Sequence, residues 1–174
     1  MRGPGAGPGD AGADQGQAQA SAVGDAALRT SDPDVYAAGD VAESYHPLYG
    51  RHLRVEHWAN ALNGGPAAAR SMLGQDVSYD RVPYFFTDQF EIGMEFSGDI
   101  LGYDQVIYRG SPEDLEFIAF WLSAGRVVAA MNVNVWDVTD DLQRLIRSGA
   151  VVDPAELQSG AAVAFSWKGG VSDG

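Results

Sequence analysis

Two stretches of this 174-residue chain hold side chains able to do chemistry. The first is Gly39-Asp40, which closes the apolar run Val35-Tyr36-Ala37-Ala38. Glycine lets the backbone turn where a side chain would obstruct it, and the aspartate then offers an acceptor to neighbouring N–H groups or to ligand hydroxyls. Aspartate is also a preferred helix N-cap, so a purely structural role for Asp40 stays open on these residues alone. The second stretch, residues 44–58, holds His46, His52 and His57 with Glu56 and Trp58. Three imidazoles and a carboxylate invite a metal reading, but their spacing matches no ligand pattern and no helical i, i+4 pair. We therefore expect no metal site. Trp58 by itself reads as a core side chain.

Composition narrows the chemistry further. Asp and Glu number 24 against 11 Lys and Arg, which argues against a nucleic-acid partner. There is no cysteine, so this chain carries no disulfide, thiolate metal site or dithiol redox pair, and any redox chemistry must come from a cofactor. No apolar stretch reaches membrane-spanning length and the first residues lack a signal-peptide core, so the expected setting is the cytoplasm, without a membrane partner. Residues 1–23 are dominated by Gly, Ala, Gln and Pro and read as a disordered low-complexity leader. Its "GPGDAG" at 7–12 matches the phosphate-cradling G-x-G-x-x-G formally. No strand delivers the chain to that loop, so the match is taken as empty.

The elements that must position these residues follow from pattern. Residues 35–38 suggest a short buried strand. A helix is expected from near Val55, with Trp58, Ala61 and Leu62 on one face, and Gly64-Gly65-Pro66 should split or kink it. "FEIGMEF" (90–96) alternates as a half-buried strand, and "QVIYRG" (105–110) is a second strand candidate. "EFIAFWL" and "RVVAAMNVNV" flank Ser123-Ala124-Gly125 as a hairpin apolar on both faces, which belongs in the middle of a sheet. "DVTDDLQRLIRSG" has acids at its start, arginines at its end and a closing glycine, the pattern of a capped helix.

Taken in order, "RTSDPDVYAAGDVA", "HPLYGRHLRVEHWANALNGGPAAARSMLG" and "VPYFFTDQFEIGMEFSG" resemble the carboxyl-terminal half of FAD-dependent ferredoxin and rubredoxin reductases. These form a branch of the pyridine nucleotide-disulfide oxidoreductase superfamily, with apoptosis-inducing factor as a more distant relative. The resemblance covers about residues 26–158. It implies that Gly39 ends a strand beneath the flavin and that Asp40 hydrogen-bonds a ribityl hydroxyl. It implies a helix running unbroken through Gly64 and Gly65, with Glu56, His57 and Trp58 lining the isoalloxazine at its start. Phe86, in "PYFFTDQF", would approach the ring from the second domain, although this chain has Phe86 and Thr87 where the family more often has Trp and Ser.

The fold class expected is α+β: a remnant strand and helix of an FAD-binding Rossmann-like domain (24–78), then a reductase C-terminal domain of antiparallel sheet with flanking helices (79–158), then a flexible tail (159–174) in which Phe165 and Trp167 are candidates to dock. The implied activity is electron transfer from NAD(P)H through FAD to ferredoxin or rubredoxin. The family's FAD fingerprint and NAD(P)H domain are not in this sequence. The expectation is a truncated reductase, inactive without its amino-terminal half, and no residue here is assigned as catalytic. The alternative is a non-catalytic packing or dimerisation module, for example a homodimer. Residues 44–70 carry Arg51, Arg54 and Arg70 against Glu56 alone. Arg51 and Arg54 are therefore the candidates to dock an acidic ferredoxin.

Overall fold

The computed structural model describes residues 21–159. Three short strands, β1 (Ala22–Gly24), β2 (Ala42–His46) and β3 (Arg51–Arg54), form a sheet in that order, β1 parallel and β3 antiparallel to β2. Residues 21–23, read above as leader, thus belong with an ordered sheet. The β2–β3 hairpin turns through Pro47–Gly50, where the Tyr49 and Gly50 N–H groups both donate to the His46 carbonyl (3.2 and 2.9 Å). The low-complexity leader with its glycine motif otherwise lies outside the described residues, as do Phe165 and Trp167.

The expected strand at 35–38 does not form. Tyr36 makes a single bridge to Arg29, the Ala37 N–H donates to the Leu28 carbonyl, and Gly39–Val41 is a turn that leads into β2. Strand geometry therefore begins after Asp40, where a second strand is available to pair with. For the same reason Asp40 cannot be a helix N-cap, since the element it introduces is a strand.

Helix α1 (Trp58–Met72) starts three residues later than expected and runs through Gly64, Gly65 and Pro66 as one element. Its buried side, Gly64, Ala67, Ala68 and Ser71, is made of small residues, and this lets the helix lie close over the turn. A Cβ on Gly64 would stand 3.6 Å from that of Ala38. Close packing of this kind offsets the hydrogen bond that Pro66 cannot make. The face bearing Trp58 and Leu62 is the exposed one, at 72% and 56%, against the expectation of a core tryptophan.

The second sheet contains β4 (Tyr84–Gln89), β5 (Ile92–Gly98), β6 (Gln105–Ser111), β7 (Glu116–Ser123) and β8 (Arg126–Val133), ordered β4-β5-β8-β7-β6 and antiparallel throughout. The apolar hairpin β7–β8 is interior, as its two-sided pattern requires. Its turn residues Ala124 and Gly125 both take positive φ (49° and 73°), the twist that suits a tight hairpin. "FEIGMEF" is not one strand, because Phe90 is a fully exposed turn residue between β4 and β5. Helices α2 (Thr139–Ser148) and α3 (Pro154–Gln158) complete the fold. Ile118, Phe120 and Leu122 pack with Leu142, Leu145, Ile146 and Leu157 in the main core. Among the described residues no helix is long and apolar enough to cross a membrane.

Candidate functional site

The residues singled out by sequence gather at the start of α1. Arg54, at the end of β3, donates through Nε to the Asp40 carbonyl (3.0 Å) and pairs through Nη2 with Glu56 Oε1 (2.8 Å). One guanidinium thus ties the turn before β2 to the segment entering α1, and the Asp40 carboxylate is left exposed. Gly39 has φ +79°, and a Cβ there would stand 3.4 Å from that of Ala61. The turn is therefore seated directly on α1, and glycine is what permits both the dihedral and the approach.

His57 is the N-cap residue, yet no side chain caps this helix and its first turn holds no acid. The leading N–H groups of α1 thus have no side-chain acceptor at the cap, and the positive end of the helix dipole is open to a ligand. The His57 ring packs on Phe85 with centroids 4.6 Å apart, Phe85 stacks on Phe96 at 5.2 Å, and Phe96 meets Trp121 edge-on at 5.7 Å. Burial holds the His57 imidazole below its ordinary pKa, against the opposing pull of Asp40 and Glu56. It is neutral at pH 7, and its Nδ1 is buried without a partner.

Phe86 is not brought to this cluster. It lies on the opposite face of β4 from Phe85, 53% exposed, with Tyr84 as its ring neighbour at 6.5 Å. Phe85 is the aromatic that sequence reasoning overlooked. The alternation of β4 from Tyr84 onward was the signal that 85 and 86 face opposite ways. Behind Tyr84, Glu95 accepts from the Tyr84 hydroxyl (2.7 Å), Asn132 (2.8 Å) and Thr139 (2.7 Å). Burial pushes the Glu95 carboxyl up, and these three donors outweigh it, so it stays ionised below the usual range.

Arg51 pairs with Asp99 in the wall of a cavity of about 500 Å³ that His57, Phe85, Phe96 and Leu101 also line. Both candidate docking arginines are therefore already engaged with carboxylates of this chain. The three histidines occupy separate environments. His46 is buried with Nε2 2.9 Å from the Arg81 carbonyl, His52 stands exposed beside Tyr45, and His57 packs on Phe85. Among the described residues no group of His, Asp and Glu is arranged to hold a metal ion.

Residues 84–163 match the family model described as Reductase C-terminal. The ferredoxin–NAD(+) reductase component of the anthranilate 1,2-dioxygenase system of Burkholderia cepacia is 37% identical over 134 residues, 76% of this chain and 33% of that protein. Apoptosis-inducing factor 3 of Mus musculus is 31% identical over 134 residues, 75% of this chain and 22% of that protein. The crystal structure of the covalent putidaredoxin reductase–putidaredoxin complex superposes with a TM-score of 0.77 at 31% identity, covering 85% of this chain and 37% of that one. The chain thus spans a third or less of the length of these two curated relatives.

Proposed function

Because this chain belongs to the FAD-dependent pyridine nucleotide-disulfide oxidoreductases, in the ferredoxin reductase branch, we propose that it forms the flavin-ring wall and acceptor-facing rim of an NAD(P)H:ferredoxin or rubredoxin reductase. One observation carries the reading: α1 begins without a capping side chain or first-turn acid, flanked by the exposed Asp40 carboxylate and the exposed Trp58. That arrangement fits a ligand with hydroxyls at one end and an electron-rich ring at the other.

FAD, when bound, accepts a hydride from NAD(P)H and releases electrons singly to a small iron–sulfur protein. The residues of this chain would hold and tune it. Asp40 accepts from a ribityl hydroxyl, while Gly39 keeps the backbone low enough for the ligand to pass. The N-terminus of α1 stabilises negative charge at the pyrimidine end of the ring. Trp58 borders the ring, and Glu56 and His57 line it, with His57 braced by Phe85. Phe86 offers a second exposed aromatic, on the far face of β4, for a segment that closes the site. In this reading residues 24–78 complete an FAD-binding domain and the five-stranded sheet is the module packed against it.

The acceptor would approach over the cavity rimmed by Arg51 and Arg54. That one relative is named a ferredoxin–NAD(+) reductase component, and one neighbour was solved joined to putidaredoxin, supports a small protein acceptor. Since both arginines are ion-paired, their attraction for an acidic partner is weaker than their number suggests. A second reading, a packing or dimerisation module without chemistry, draws support from the exposed Trp58–Leu62 face.

Mixing the chain with a separately expressed amino-terminal half of the B. cepacia relative separates the two. The reductase reading expects NADH-dependent ferredoxin reduction in the mixture and none from either piece alone. A module that self-associates in light scattering and leaves the other half inactive would support the second reading instead.

A further inference from the structure

Most arginines among the described residues have an evident partner. Arg51, Arg54, Arg144 and Arg147 pair with carboxylates, and Arg109 and Arg126 each reach a backbone carbonyl. Arg29 lies over the Tyr36 ring. Arg70 and Arg81 differ: neither guanidinium engages a partner among the described residues. Both line one cavity of about 230 Å³ between the second half of α1 and the segment 77–81. Ser78 and Asn63 supply further polar lining, and no Asp or Glu contributes to the wall.

This is unexpected in a chain of net charge −13. Arg70 and Arg81 are both exposed, and two like charges lining one recess without an opposing carboxylate give it a positive potential that favours an anion. The place of Arg70 in the last turn of α1 suits the helix dipole and would explain one cation. It does not explain why Arg81, on a separate segment, faces the same space. Guanidinium forks match the oxygens of phosphate, and two forks with a hydroxyl donor outnumber the two oxygens of a single carboxylate.

We propose that the cavity between α1 and residues 77–81 is a binding site for a phosphoryl oxyanion, held by Arg70 and Arg81 with the Ser78 hydroxyl as a third donor. The site uses only this chain and does not depend on the flavin reading. Its anion is either free phosphate or the phosphoryl group of a nucleotide.

The test is calorimetric titration of the full chain at fixed ionic strength with inorganic phosphate, pyrophosphate and adenosine monophosphate. One-to-one saturable binding is expected, and Arg70→Gln or Arg81→Gln should each weaken it about tenfold, as loss of a charge-assisted hydrogen bond does. Arg144→Gln, whose guanidinium pairs with Asp141 and does not line the cavity, should leave it intact. Arg81→Lys keeps the charge without the fork and should recover part of the affinity, with unchanged far-ultraviolet dichroism showing that each variant folds. Equal affinity for inorganic phosphate and the nucleotide would assign the site to free phosphate, and tighter nucleotide binding to a nucleotide phosphoryl group. Absence of saturable binding by all three probes, or binding that survives both glutamine changes, would overturn the proposal.

Discussion

At Asp40 the difference between a structural and a chemical aspartate becomes testable. The turn uses its carbonyl, which accepts from Arg54, and the carboxylate stands exposed beside an uncapped helix. Replacing it with alanine in a reconstituted reductase should lower FAD affinity at least about tenfold, since hydrogen bonds to charged groups contribute about 1.5–3 kcal/mol. Equilibrium dialysis against FAD checks this, and an unchanged dissociation constant would remove Asp40 from the site. His46 carries a prediction about pH. Burial lowers its pKa, against the opposing hydrogen bond to the Arg81 carbonyl and the charge of Asp80, with Arg147 and Arg51 lowering it further. His57 is lowered too. For groups depressed in the fold, the unfolded chain binds more protons, so their contribution is complete above about pH 6.5 and is lost as pH falls below it. Urea melts between pH 7 and 5 should show stability falling as pH falls, with more of the fall due to the buried His46 than to the partly exposed His57. In His46→Gln part of that slope should vanish. The sequence singled out Asp40 and His57 as candidates because their types and order carry a resemblance, and the structure places both near the start of α1. It left Phe85 unseen because the family motif draws the eye to Phe86, while strand parity decides which ring meets His57.

At the scale of elements, the glycines of α1 separate into two roles. Gly64 is buried against Ala38, whereas a Cβ on Gly65 would meet nothing within 4 Å. Gly65→Ala should therefore stabilise the chain by about 0.5–1 kcal/mol through helix propensity, read as a higher melting temperature. A loss of stability would mean that this stretch of α1 needs glycine for a reason other than packing. Local rules expected a break at Gly64-Gly65-Pro66, but the small-residue face made tertiary burial prevail over propensity. The central position of β7 and β8 and the capped α2, closed by left-handed Gly149, were readable because apolar pattern and terminal chemistry agree there. The β4–β5 turn was not readable. It puts Phe90 at φ 56° without a glycine, so the sequence offers no turn signal. Helix α3 was missed although Asp153 accepts from the Ala155 N–H (2.9 Å) and Pro154 follows it, an N-cap pair visible in the sequence.

At the scale of the molecule, charge and exposed surface both concern what the chain meets. Because Arg51 and Arg54 are held by Asp99 and Glu56, substituting both with Gln should slow ferredoxin reduction by a reconstituted enzyme only a few-fold at low salt. Reduction of a small artificial acceptor should be preserved, and stopped-flow traces at two ionic strengths measure both. Equal losses with both acceptors would move these arginines from docking to support of the flavin cluster. The central claim is that the α1 terminus, Asp40 and Trp58 complete a flavin site only in company with the fingerprint-bearing half of a reductase. The most direct measurement is flavin content after gel filtration of this chain, of an amino-terminal half from the B. cepacia relative, and of the two mixed with excess FAD. The account predicts a colourless chain and a mixed complex that retains about one FAD per pair, well above what the amino-terminal half retains alone. FAD held stoichiometrically by this chain in isolation, or no gain in the mixture over the amino-terminal half, would contradict it.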